Sequence, residues 1–177
     1  MVAALERLLA PDYLGDLAAR PLDELRAMRA ECQEVETGLS LVRRLVQGHL
    51  DIVGLEQARR RGGGSAGDRT SLLEQLPAVL AERTQAPGLG RLPVQMAPAD
   101  LDPALEAELA DLVGPGLALD PSSLDDDGLA ALSARLVAFE AEVSRRRRAL
   151  FGQLDAVQAE LTRRYRSGDA SVDSLLT

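Results

Sequence analysis

At 177 residues the chain is long enough for one domain, or at most two, and it is 46% hydrophobic but only 2% aromatic, with no Trp. Sandwich and α/β cores draw on aromatic and β-branched residues, whereas Ala, Leu, Glu and Arg favour helix, so the expected class is all-α with a narrow core. A net charge of −8 argues against direct DNA binding, which needs a basic face.

The first segment, residues 1–21, holds short apolar runs broken by Pro11, Gly15 and Pro21 and reads as helical turns packed on the body. Residues 22–61 contain no Pro. Apolar residues fall at Leu25, Met28, Cys32, Val35, Leu39, Val42, Val46 and Val53, with His49 in the gap. Spacing that alternates three and four over four heptads predicts a long coiled-coil helix. Cys32, the only cysteine, falls on that seam and reads as a buried thiol, while His49, the only histidine, reads as a packed side chain. One Cys and one His exclude a disulfide framework and an ordinary zinc site.

Residues 62–121 read as flexible linkers carrying two short helices. Gly62 to Gly67 form a Gly/Ser linker. Ser71 and Glu74 make a capping box for a helix over 71–84. Residues 85–100 are Pro- and Gly-rich loop. Asp102-Pro103 opens a second short helix, 102–113, that stops at Gly114-Pro115. A second long helix is expected over 122–166, beginning at Ser122 or Ser123. Its seam is Leu129, Leu132, Leu136, Phe139, Val143, Leu150 and Val157, with Arg146 and Gln153 as polar exceptions. Residues 167–177 read as a disordered tail. The predicted architecture is an antiparallel coiled-coil hairpin of two long helices with short connecting helices. With neither a signal peptide nor a run of eighteen apolar residues, the expectation is a cytoplasmic protein without membrane contact.

The two long helices repeat one another. Laying residues 23–60 on 127–164 gives identities that include Glu36, Ser40, Arg43, Arg44, Gly48, Asp51, Glu56, Arg59 and Arg60. Apolar agreement follows from the shared heptads, but a solvated face is under little demand for identity, so the polar matches are informative. Glu36, Ser40, Arg43, Gln47 and Asp51 step by 4, 3, 4 and 4. They keep within an arc of about 80° and span roughly 22 Å of helix. The second copy is Glu140, Ser144, Arg147, Phe151 and Asp155. Most of these residues follow a seam residue by one position, so each stripe lines the edge of the interhelical groove. Gly48 and Gly152 remove side-chain bulk beside it.

Every basic residue of the chain is Arg. Arg reads guanine through O6 and N7, and a carboxylate can accept from the N1–H and amine edge. Ser and Gln can serve phosphate, ribose or base edges. Such a stripe suits a guanine nucleotide without a phosphate-binding loop. In an antiparallel hairpin the copies are related by an approximate two-fold axis, which matches a two-fold ligand with two guanines such as cyclic di-GMP.

The pattern Glu-x3-Ser-x2-Arg-x3-Gln-x3-Asp resembles the cyclic di-GMP-binding signature of the RsiG anti-sigma factors of Streptomyces and relatives. The resemblance spans both long helices and implies an antiparallel coiled coil holding cyclic di-GMP as a dimer. The loaded protein would sequester a WhiG-type sporulation sigma factor from RNA polymerase. Residue by residue it implies nucleotide contacts from Glu36, Ser40, Arg43, Gln47, Asp51, Glu140, Ser144, Arg147 and Asp155, with Arg44 and Arg148 as further candidates. Phe151 departs from the signature, standing where Gln is expected; it either stacks on a guanine or fills the helix interface. With both copies in one chain, the expectation is a monomer before partner binding. A coiled-coil adaptor that binds protein independently of nucleotide is the other reading. Catalysis is not expected, because the chain has no Ser/His/Asp set, no Gly-rich loop followed by Lys and no metal-ligand cluster.

Overall fold

A computed structural model describes residues 2–63, 103–114 and 121–168. The expected helix 71–84, with Leu72, Leu73, Leu76, Val79 and Leu80, lies outside these residues, as do the loop 85–100, most of the glycine linker and nearly all of the C-terminal tail. The described residues form helices α1 (Val2–Leu8), α2 (Leu22–Arg61), α3 (Pro103–Val113) and α4 (Asp126–Ser167), with 3-10 turns at Leu17–Ala19 and Pro121–Ser123. No strand occurs among them. The chain is all-α, and within each of its two compact units the two long helices pack antiparallel, as a coiled-coil hairpin requires.

The caps are local. Asp23 and Glu24 stand in the first turn of α2, and Arg59, Arg60 and Arg61 in the last, both matched to the helix dipole. Gly63, with φ of 92°, takes the chain out of α2. At the start of α4 the sequence expectation needs correcting. Residues 121–123 form a 3-10 turn, and Asp125 lies outside the α-helix as its cap, its Oδ1 accepting from Gly128 N at 2.8 Å. Pro121 and Ser122 are buried, which ties that turn to the body.

The chain divides into two compact units. One comprises residues 1–40 and 144–177, the other residues 41–143. In the first unit α2 and α4 run antiparallel, for Arg26 meets Tyr165, Arg29 meets Gln158 and Glu36 meets Arg147. Leu25, Met28, Val157 and Leu161 form a core cluster there, covered by Tyr13, Leu14, Leu17, Leu22 and Tyr165. Cys32, Val35, Leu39 and Leu150 are buried in the same unit, with Leu5 and Leu8 of α1. In the second unit Arg43 meets Glu140 and Arg60 meets Asp126, again antiparallel. Its buried residues are Val42, Val46 and Val53 of α2, Leu109 and Val113 of α3, and Leu129, Leu132, Leu136, Phe139 and Val143 of α4.

Every apolar seam residue named from the heptads is therefore buried. Burial of each large aliphatic side chain contributes roughly 1.5–3 kcal/mol. The polar seam positions His49, Arg146 and Gln153 are half-buried instead. Long side chains there keep their polar ends near water while covering apolar surface.

Candidate functional site

The stripe residues lie beside the seam. Glu36, Ser40, Arg43, Gln47, Asp51, Glu140, Ser144, Arg147 and Phe151 are all half-buried, and Asp155 is exposed. This intermediate burial follows from their register, one position removed from side chains that are fully buried.

Each arginine of one stripe pairs with the glutamate of the other. In the second unit Arg43 Nε donates to Glu140 Oε1 at 2.8 Å, and Gln47 Nε2 donates to the same oxygen at 3.3 Å. In the first unit Arg147 Nε donates to Glu36 Oε1 at 2.7 Å, and Ser40 Oγ donates to that oxygen at 2.6 Å. The reciprocity needs both the repeat and the antiparallel register. The Ser40–Glu36 bond is the i,i+4 contact that the spacing allows.

Phe151, where the first copy has Gln47, has no amide to offer Glu36. Its ring lies under Arg147 instead, with the guanidinium carbon 4.8 Å from the ring centre. The structure thus gives Phe151 a role the sequence did not reach, that of holding the arginine beside it. Arg148 is exposed, with Nε reaching Ser144 O at 3.3 Å, and Arg44 is exposed on α2. A Cβ built on Gly48 or Gly152 would meet nothing within 4 Å, so internal packing does not demand glycine at either position.

Chemically the stripes supply carboxylates, planar cationic forks, a hydroxyl, an amide and an aromatic ring beside an apolar seam. Guanidinium can read guanine O6 and N7, and carboxylate can accept from the opposite edge of the base. A cavity of about 430 Å³ in the second unit, lined by Gln57, Arg60, Arg61, Asp126 and Leu129, includes no stripe residue. Its arginine Arg60 is already committed to Glu56, Asp126 and two backbone carbonyls. Among the described residues no group of three His, Cys, Asp or Glu side chains could hold a metal ion.

The RsiG-like family model matches residues 11–80 and 115–177. The chain belongs to the RsiG-like family. Both matched stretches carry a stripe, one on α2 and one on α4. Comparison with curated proteins gave no match. Family membership gives the chain an anti-sigma role, with a sigma factor as its general partner. No helix among the described residues is long and apolar enough to cross a membrane.

The sequence reading passed over a second repeated polar group, Glu56-Arg59-Arg60 and Glu160-Arg163-Arg164. Its signal was visible in the identities at these positions and in the seam register of Glu56, which is fully buried.

Proposed function

We propose that this RsiG-like protein binds cyclic di-GMP through its two stripes and, when loaded, sequesters a WhiG-type sigma factor from RNA polymerase. The observation carrying this reading is the reciprocal pairing of Arg43 with Glu140 and Arg147 with Glu36. Interhelical ion pairs beside a seam are common in coiled coils; their recurrence at repeat-equivalent positions, with an arginine fork and a carboxylate in each, suits a ligand that presents the same guanine edge twice. In this reading Arg43 and Arg147 contact guanine or phosphate, the carboxylates of Glu36, Glu140, Asp51 and Asp155 hold base edges or orient the arginines, and Ser40, Ser144 and Gln47 serve phosphate or ribose. The acidic balance of the chain, −8 overall, suits a partner whose own surface is basic.

Calorimetric titration with cyclic di-GMP, with GTP as control, tests the ligand. Binding at micromolar or tighter affinity is expected, and Arg43→Glu or Arg147→Glu abolishes it. Pull-down of purified WhiG-type sigma factor with and without the nucleotide tests the switch. Capture only with nucleotide is expected. Equal capture without it would favour a nucleotide-independent adaptor.

A further inference from the structure

The Glu-x2-Arg-Arg group at the end of each long helix is built twice with the same atoms. In the second unit Arg59 Nε donates to Glu56 Oε2 at 2.7 Å, Arg59 Nη2 to Oε1 at 2.8 Å, and Arg60 Nε to Oε1 at 2.6 Å. In the first unit Arg163 Nε donates to Glu160 Oε2 at 2.8 Å, Arg163 Nη2 to Oε1 at 2.7 Å, and Arg164 Nε to Oε1 at 2.8 Å. The last arginine of each group then reaches across to the backbone that precedes the other long helix in its unit. Arg60 Nη2 donates to Ser122 O and Leu124 O at 3.2 and 2.8 Å, just before α4. Arg164 Nη2 donates to Leu17 O and Ala18 O at 2.9 and 3.0 Å, just before α2. The alignment that lays Glu56 on Glu160 also lays Ala18 on Ser122, so one carbonyl of each acceptor pair corresponds as well.

Burial separates these groups from ordinary arginines in a last helical turn. The side chains of Glu56, Arg60, Glu160 and Arg164 are 0%, 9%, 11% and 12% exposed. Glu56 and Glu160 occupy seam positions, where an apolar residue would pack at less cost. Charges placed in a coiled-coil seam contribute little net stability, and their best-attested use is to fix register and orientation. Two Leu/Val seams can mate in more than one heptad register. A slip of one heptad, about 10 Å of helix rise, would carry the Arg60 and Arg164 forks away from their carbonyls.

We propose that Glu56–Arg60 and Glu160–Arg164 are register locks, positioning residues that fix the alignment of α2 on α4 within each unit. In the second unit that alignment brings Arg43 to Glu140, and in the first it brings Arg147 to Glu36. The proposal stands whether or not the stripes bind a nucleotide.

The test is a distance measurement on the full chain by double electron–electron resonance. Spin labels are placed at Leu45 and Ala130, both exposed in the second unit and offset along the helix axis so that a slip changes their separation, in a Cys32→Ser background. One narrow distance population is expected for the otherwise unmodified chain. Glu56→Leu/Arg59→Leu/Arg60→Leu combined with Glu160→Leu/Arg164→Leu removes both locks and leaves no buried Arg59 charge without its partner, so it keeps its helical circular dichroism, but its population splits or shifts by several ångström. Arg60→Lys, which keeps the charge and loses the planar fork, broadens the population without loss of helix. A single unshifted distance in the five-Leu variant overturns the proposal. So does loss of its helical signal, which would make the group a source of stability rather than of register.

Discussion

The guanidinium of Arg147 lies on the ring of Phe151, 4.8 Å from its centre, while Nε of the same side chain donates to Glu36. In the other unit Gln47 occupies the equivalent position and donates to Glu140. One copy therefore holds its arginine with a ring, and the other supplies its glutamate with an amide. A cation–π contact at such a site is worth about 0.5–1 kcal/mol. Phe151→Ala is expected to lower unfolding free energy by about 1 kcal/mol, counting the lost ring contact, in urea titrations with an unchanged m-value. The Arg147 Nε–H proton resonance should move downfield as the ring current is lost. Phe151→Gln should show the same resonance shift with a smaller loss of stability, since its amide can reach Glu36 as Gln47 reaches Glu140. An unmoved Arg147 resonance in both variants would remove the stacking role.

The crossed ion pairs separate folding from recognition. Arg43 and Glu140 are 36% and 22% exposed, so their coupling should be about 0.5–1 kcal/mol in a double-mutant cycle. Arg43→Glu alone leaves two carboxylates facing each other and should lower stability by a similar amount, about 1 kcal/mol. The exchange Arg43→Glu/Glu140→Arg restores the attraction and most of the stability. It should not restore cyclic di-GMP binding, because it moves the fork to the other helix. Recovery of both would show that the pair is structural only.

How much of this was legible in the sequence depended on whether the chemistry was local. The seam was readable because burial along a helix is a matter of period alone, and Leu25 through Val157 are buried where the heptads place them. The stripe was readable for the same reason, one position away. Which glutamate meets which arginine was not, since cross-helix pairing depends on register, and a repeating seam permits several. The start of α4 was misplaced because Ser122 and Ser123 are good caps by composition, whereas the buried 3-10 turn leaves that task to Asp125. Glu56 appeared in the sequence only as one of the repeated identities. It is buried because Arg59 and Arg60 fold back onto it, which no propensity describes.

Acid should loosen both ends of the hairpin. Hydrogen bonds from Arg163 and Arg164 hold the Glu160 carboxyl near pKa 2, against an ordinary 4.5. Hydrogen bonding from Arg59, then Arg60, lowers that of Glu56. A carboxyl depressed on folding contributes stability that is complete above its unfolded pKa and is lost as pH falls through the folded value. Melting temperature should therefore hold steady down to about pH 4.5 and decline from there toward 2. Glu160→Gln should start lower at neutral pH and fall less steeply in acid. An identical acid slope in the variant would show that Glu160 is not a source of it.

Cys32 offers a probe of opening in the first unit. It is fully buried on the α2 seam, and Tyr13 Oη lies 3.8 Å from its Sγ. Burial pushes the Cys32 thiol upward from its ordinary pKa, more than its contact with Tyr13 lowers it, and burial with the same contact lifts Tyr13 to about 12. A thiol that is both shielded and protonated reacts only when the surrounding structure opens. Labelling of the native chain by a disulfide reagent near pH 8 should therefore be slow and should become rapid in denaturant. Tyr13→Ala uncovers the thiol without touching the heptads of α2, so it should speed labelling while leaving the helical circular dichroism in place. Fast labelling of the unmodified chain would mean that the first unit opens around Cys32 under native conditions.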